Sequence, residues 1–152
     1  MTIRRKRQIG YILVIFWMAL IFFLSQQDAS VSSQQSGVIV DYVRPLLSSI
    51  TGDLLTFLTR KSAHIFMYFV LGGLLYNVAR TYSLATRKAV VLCILIAMSF
   101  AISDEIHQTF VAGRSGEVRD VLIDTTASAA GIGLYAWKDR RKKRSLLQKT
   151  TK

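Results

Sequence analysis

The sequence predicts an all-α polytopic membrane protein: a compact bundle of four transmembrane helices with an interfacial helix between the first and second. Three observations predict it. Of 152 residues, 51% are hydrophobic and only 19% are charged. The apolar residues gather into four long runs instead of spreading over amphipathic faces. The basic residues fall almost entirely on alternate connections, so the net charge of +11 reads as a topology signal. The length admits a single membrane domain over 1–152. One Cys leaves no disulfide framework and no Cys-rich zinc module. A basic excess can mark a nucleic-acid binder, but one with a mean hydropathy of +0.35 points to a membrane, so no nucleic-acid partner is expected.

The first run, 9–24, carries no charge and follows the basic cluster Arg4, Arg5, Lys6 and Arg7. That pattern also suits a signal peptide. Ser25-Gln26-Gln27-Asp28 offers no small-residue cleavage site, so a retained helix is expected. The second run, 63–79, holds His64 as its one ionisable group besides tyrosines; the third, 89–103, has no charged residue; the fourth, 121–137, is interrupted by Asp124. Each is slightly shorter than the roughly 20 residues a bilayer requires. Tyr11, Trp17, Tyr68, Tyr76, Tyr135 and Trp137 are expected to extend the spans at headgroup level. A soluble bundle would give each helix a polar face, and 9–24 has none.

Between the first two runs, 25–36 is rich in Ser and Gln and reads as a turn or loose segment. In 37–50, Val38, Ile39, Tyr42, Val43, Leu46 and Leu47 recur at helical spacing around Pro45, which predicts an interfacial helix on the outer leaflet. The basic tail 138–152 reads as a solvated anchor near anionic lipid. Counting alternate connections, one side holds fifteen of the twenty basic residues and one of the nine acids. Both termini are therefore expected in the cytoplasm, with 25–62 and 104–120 facing outward from the cytoplasmic membrane.

Polar residues collect at the outer ends of the second, third and fourth runs, where each calls for an explanation. Lys61, His64 and Tyr68 stand at i, i+3 and i+7, on one helical face, with Arg60 a turn before the histidine. A cationic face with an imidazole can grip phosphate and move protons or attack phosphorus; an ordinary basic flank with a satisfied histidine would look the same. Asp104 and Gln108 share a face, while Glu105 points about 100° away, so one carboxylate is expected in the pocket and the other in solvent. Both acids lie at a helix C-terminus, where the dipole disfavours anions. A cationic partner such as Arg60, Lys61 or Arg114 is therefore expected for them. Gly113-Arg114-Ser115-Gly116 permits a tight turn that presents an arginine to phosphate or carboxylate. Asp120 reads either as a helix cap or as a site residue. Asp124 lies a turn deeper, and is expected to face the interior and pair with Arg, Lys or His. Ala127/Gly131, Ala129/Gly133, Gly72 and Gly73 read as close helix packing. No HExxH or other compact ligand spacing occurs, so neither a metal nor another cofactor is expected.

Lys61-x-x-His64-x-x-x-Tyr68, then Asp104-Glu105-x-x-Gln108, then Arg114 and Asp120 with small residues following, resembles the VanZ-like family of small bacterial membrane proteins. The resemblance runs from the first run to the fourth. Asp124 stands where it leads one to expect Asn in many relatives. It implies a cell-envelope role, with activity proposed on lipid head groups and, for the member that names the family, glycopeptide (teicoplanin-type) antibiotic resistance. On that basis His64, Asp104 and Glu105 form the expected catalytic set, with Asp104 or Glu105 orienting His64. Lys61, Tyr68, Gln108, Arg114, Asp120 and Asp124 form the substrate-binding set. The expected partner is a membrane lipid or lipid-linked envelope intermediate, and the reaction phosphoester hydrolysis or transfer. Two alternatives use the same residues: a non-enzymatic protein that binds or shields a precursor or antibiotic, and a purely structural ion-pair cluster.

Overall fold

A computed structural model describes residues 1–26, 52–112 and 115–150. The expected interfacial helix at 37–50 lies outside the described residues. The all-α reading holds: the described chain consists of α1 (Ile3–Ser25), α2 (Gly52–Ala79), α3 (Thr86–Gln108) and α4 (Val118–Thr150). Among the described residues three helical stretches, Ile3–Ser25, Phe57–Ala79 and Thr86–Gln108, are long and apolar enough to cross a membrane. In α4 the stretch behind Asp124 is built from Thr125, Thr126, Ala127, Ser128, Gly131 and Gly133, whose small and hydroxylated side chains lower its apolarity.

Every helix outruns its apolar stretch. α1 begins before its basic cluster, where the Thr2 hydroxyl accepts from Arg5 N at 3.4 Å. α3 continues through both acids to Gln108. The tail, exposed over 140–146, continues α4 to Thr150, since Lys, Arg, Leu and Gln all favour helix. α2 ends at a turn in which Thr81 N and Thr81 Oγ1 both donate to the Val78 carbonyl, at 2.9 and 2.7 Å.

The core lies where α2 meets α3 and α4; the most extensive contact in the molecule is α2 against α4. α3 contributes a stripe of small residues at four-residue spacing, Ala89, Cys93, Ala97 and Ala101, all buried. α4 contributes Ala127, Ser128, Gly131 and Ile132. Leu71 and the rings of Tyr68 and Tyr76 fill the space between them. Burial of those two tyrosines corrects their assignment to the headgroup belt. Spacing alone does not separate an aromatic at a membrane interface from one in the core.

The crossing of α2 and α4 is held by glycines. A Cβ on Gly72 would collide with the Ser128 carbonyl, and one on Gly131 with the Phe69 carbonyl. The two backbones are thus in direct contact, as small residues permit. Ser128 Oγ donates to the Tyr68 carbonyl at 2.9 Å across the same contact. Gly133 has nothing within 4 Å of a Cβ and takes no part, which removes the Ala129/Gly133 pair from the packing set.

α1 is the most exposed helix; Val14, Ile21 and Ser25 are its buried residues. Trp17 Nε1 donates to the Met67 carbonyl at 2.9 Å. At the other end of the bundle Arg7 donates to Thr81 Oγ1 (3.1 Å) and the Thr81 carbonyl (2.9 Å), with its guanidinium 3.8 Å from the Tyr82 ring centre.

Candidate functional site

Successive contacts between α2 and α4 ascend together along both chains, so the two helices run parallel. Lys61 pairs with Asp120; His64 Nδ1 lies 3.5 Å from Asp124 Oδ2; the Tyr68 carbonyl accepts from Ser128. These are three rungs of one ladder. On α2 the rungs step by three and four residues, and on α4 by four and four, which keeps each set on a single helical face. The spacing of Lys61, His64 and Tyr68 matches the expected shared face. The α4 half, Asp120, Asp124 and Ser128, continues one step further than the sequence reading took it.

α3 supplies the adjoining wall. Asp104 and Glu105 are both buried, 1% and 5% exposed, so neither faces solvent as expected for one of them. The α3 backbone turns about 100° between them, but α2 covers one side and the 115–117 segment covers the other. Tyr68 Oη donates to Asp104 Oδ2 at 3.4 Å, and Gln108 Nε2 lies 3.5 Å from the same oxygen. Glu105 accepts from Glu117 N at 2.8 Å and from Gln108 Nε2 at 3.3 Å. The hydrogen-bond partners of these acids among the described residues are neutral donors, and Arg114, one of the cations expected to pair with them, lies outside those residues. Gly116 makes the Glu105–Glu117 contact possible. A Cβ there would stand 2.6 Å from the Glu105 carbonyl oxygen and 2.9 Å from Thr109 Cγ2.

The carboxylate in hydrogen-bond range of His64 is Asp124, which meets the expectation that Asp124 pairs with Arg, Lys or His, while Asp104 also lies within reach of the charge of His64. The physical reason is the phase of α4. Contact between Gly72 and Ser128 turns the Asp124 face of α4 straight at α2, whereas Asp104 is engaged one turn deeper, by Tyr68. Asp124 is 1% exposed, so it acts as a buried support for a side chain that is itself half-exposed.

Above the ladder lies a polar cavity of about 200 Å³. Phe57, Arg60, Lys61 and His64 of α2 line one side. Gln108, Ser115, Glu117 and Asp120 line the other. Charges of both signs line the cavity, Arg60 and Lys61 facing Glu117 and Asp120, and Asp104 and Asp124 sit beneath it. Of the residues expected in the site, Lys61, His64, Gln108 and Asp120 reach the cavity, while Tyr68, Asp104, Glu105 and Asp124 form its support. Arg114 lies outside the described residues. His107 is set apart, its ring stacked on Phe22 of α1 with centroids 4.2 Å apart.

Sequence reasoning missed five contributors, Phe57 of the cavity wall among them. Ser128 was recoverable by extending the four-residue step of Asp120 and Asp124. Ser115 and the Glu117 backbone N–H act through a loop conformation that no side-chain pattern encodes. Ser25, buried at the end of α1, approaches Asp104. Yet Ser25 Oγ and Asp104 Oδ1 both lack a hydrogen-bond partner among the described residues. Its position at the end of an apolar run looked like the start of a polar loop. Among the described residues no group of three or more His, Cys, Asp or Glu side chains is arranged to hold a metal ion.

This arrangement brings Arg60 and the Lys61–Asp120 pair to the cavity and holds an imidazole against a carboxylate beside them. The VanZ/LLP1 family model matches residues 10–139. No curated protein and no solved structure matches the chain.

Proposed function

The chain belongs to the VanZ/LLP1 family, and from that premise we propose that it is a multi-pass protein of the cytoplasmic membrane whose polar cavity acts on the phosphate-bearing head group of a lipid or lipid-linked envelope intermediate. α4 serves as the fourth span, because it lies along α2, whose Phe57–Ala79 stretch has the length and apolarity of a span. Both termini then face the cytoplasm, where Lys and Arg of α4 beyond Trp137 are favoured, and the cavity faces outward.

One observation carries the reading: side chains from three helices converge on a cavity at one end of the bundle, with an imidazole backed by a buried carboxylate. Arg60 and Lys61 attract the phosphate, as their charge and placement suit. Asp124 holds His64 through Nδ1, so proton transfer runs through Nε2. His64 takes the proton of an attacking hydroxyl, from water or an acceptor alcohol, as its oxygen bonds to phosphorus. The ester P–O bond breaks on the opposite side, where water gives a proton to the departing oxygen, and the His64 imidazolium then releases its own proton to solvent. Tyr68, Gln108 and Ser128 keep the two helices and Asp104 in place. A role in resistance to glycopeptides would follow if the lipid concerned is a wall precursor.

His64→Ala is expected to lower head-group turnover at least about 100-fold while membrane abundance stays unchanged. Comparing the lipids of cells with and without the protein, and with the variant, measures it. Equal lipid composition in all three refutes the catalytic reading. The Lys61–Asp120 pair also suits a purely structural cluster tying α2 to α4. In that case Lys61→Ala and His64→Ala reduce abundance and leave activity per molecule intact.

A further inference from the structure

A second hollow, of about 400 Å³, runs down the outside of the α2–α4 seam. Ile65, Leu122, Ile123, Thr126 and Ala130 line it, and Arg119 stands at its mouth. Its lining is apolar in effect. The Thr126 hydroxyl is turned back onto the Leu122 carbonyl at 2.7 Å, which leaves its methyl group to face the hollow. The hollow exists because α4 carries small side chains at Thr126 and Ala130, beside the glycine contact that brings the helices together.

Resting on the head-group reading above, we infer that this groove holds one acyl chain of an anionic phospholipid whose head group occupies the polar cavity. Three features fit this occupant. The two linings are neighbours along both helices: Ile65 lies one turn beyond Lys61 on α2, and Arg119 precedes Asp120 on α4. The groove's length suits a single leaflet. Arg119 to Ala130 is eleven residues of helix, about 16 Å, or roughly half of a 30 Å hydrocarbon core. Charge is complementary at the mouth, where Arg119 is highly exposed and its pairing with Glu117 at 3.0 Å is open to water and correspondingly weak. The lipid therefore enters sideways from the bilayer, between α2 and α4, with its phosphate led past Arg119 toward Lys61.

The test reconstitutes the full chain in phosphatidylcholine vesicles containing a trace of phosphatidylglycerol with a photoactivatable group midway along one acyl chain. A matched phosphatidylcholine probe is run beside it. Labelling by the phosphatidylglycerol probe is expected at Ile65, Leu122 or Thr126, well above that by the matched probe. Ala130→Phe and Thr126→Trp, two independent ways to fill the groove, should each lower it about tenfold. Val91→Phe, on the exposed face of α3, should not. Equal labelling of the groove by both probes marks an ordinary boundary lipid and overturns the inference. So does crosslinking of one copy of the chain to another through the groove. Selective labelling elsewhere, unaffected by the groove variants, overturns the acyl site while leaving the head-group reading intact. Loss of all selectivity together with unaltered cellular lipids removes both.

Discussion

Replacing Gly131 with Ala and, separately, Gly133 with Ala places the same methyl group twice on one helix. The outcomes should differ in sign. A Cβ at Gly131 meets the Phe69 carbonyl oxygen and lies 3.2 Å from Gly73 N, both backbone atoms that cannot rotate away. A Cβ at Gly133 meets nothing within 4 Å. The helix-propensity gain of Gly→Ala, about 1 kcal/mol in water, is common to both and cancels in the comparison. What remains is the overpacking cost at Gly131, about 1–3 kcal/mol. Relieving the clash separates α2 from α4 by on the order of 1 Å, given C···O contacts near 3.3–3.6 Å. The His64–Asp124 approach, already 3.5 Å, then leaves hydrogen-bond range, and the Ser128–Tyr68 bond lengthens. The assay is reversible unfolding of the two purified variants in the same mild detergent, with lipid turnover measured in parallel. Gly131→Ala should be less stable than Gly133→Ala by about 1–3 kcal/mol and poorly active. Equal stability would refute the direct backbone contact, and with it the account of why Asp124 faces His64.

Other consequences can be checked in the same preparation. A double-mutant cycle on Lys61→Ala and Asp120→Ala should return a coupling of about 1 kcal/mol, near the upper end for exposed pairs because both side chains are more than three-quarters covered; a coupling of zero would deny the pair. Asp124→Asn should retain the fold but lower turnover at saturating lipid more than lipid affinity, since Asp124 supports His64 from beneath the cavity. Loss of affinity alone would return Asp124 to the substrate-binding set. Trp17→Phe removes the donor to the Met67 carbonyl and should cost about 0.5–1.5 kcal/mol of stability. Gly116→Ala should displace Glu117 N from Glu105 and speed proteolysis of the segment after α3; unchanged cleavage would count against the close approach there.

The helices were legible because apolar runs of fifteen residues and more leave little choice of secondary structure. The candidate site was legible by face: Lys61, His64 and Tyr68 share one, and Asp120 and Asp124 share another, as spacing requires. Which carboxylate meets which cation was not legible. That depends on the rotation of α4 against α2, and the rotation is set by Gly72 touching Ser128 and Gly131 touching Phe69. Small residues announce that helices approach, not which turn meets which. The same gap explains Gly133, identical to Gly131 as a letter and unrelated to it in space. One of Asp104 and Glu105 was expected in solvent because the cover of Glu105, Gly116 and Glu117, comes from a connection whose path no periodicity reveals.

The order in which the ladder is synthesised has a consequence of its own. Both carboxylates facing Lys61 and His64 come from α4, which leaves the ribosome after α1, α2 and α3, while their partners on α2 are made some sixty residues earlier. A chain ended prematurely before Val118 would keep all three stretches apolar enough to integrate into a bilayer. It would lack Asp120, Asp124 and Ser128 and half of the seam. Nonsense products of this protein should therefore reach the membrane correctly targeted but inert, with an unpaired α2 rather than a failure to insert as their defect.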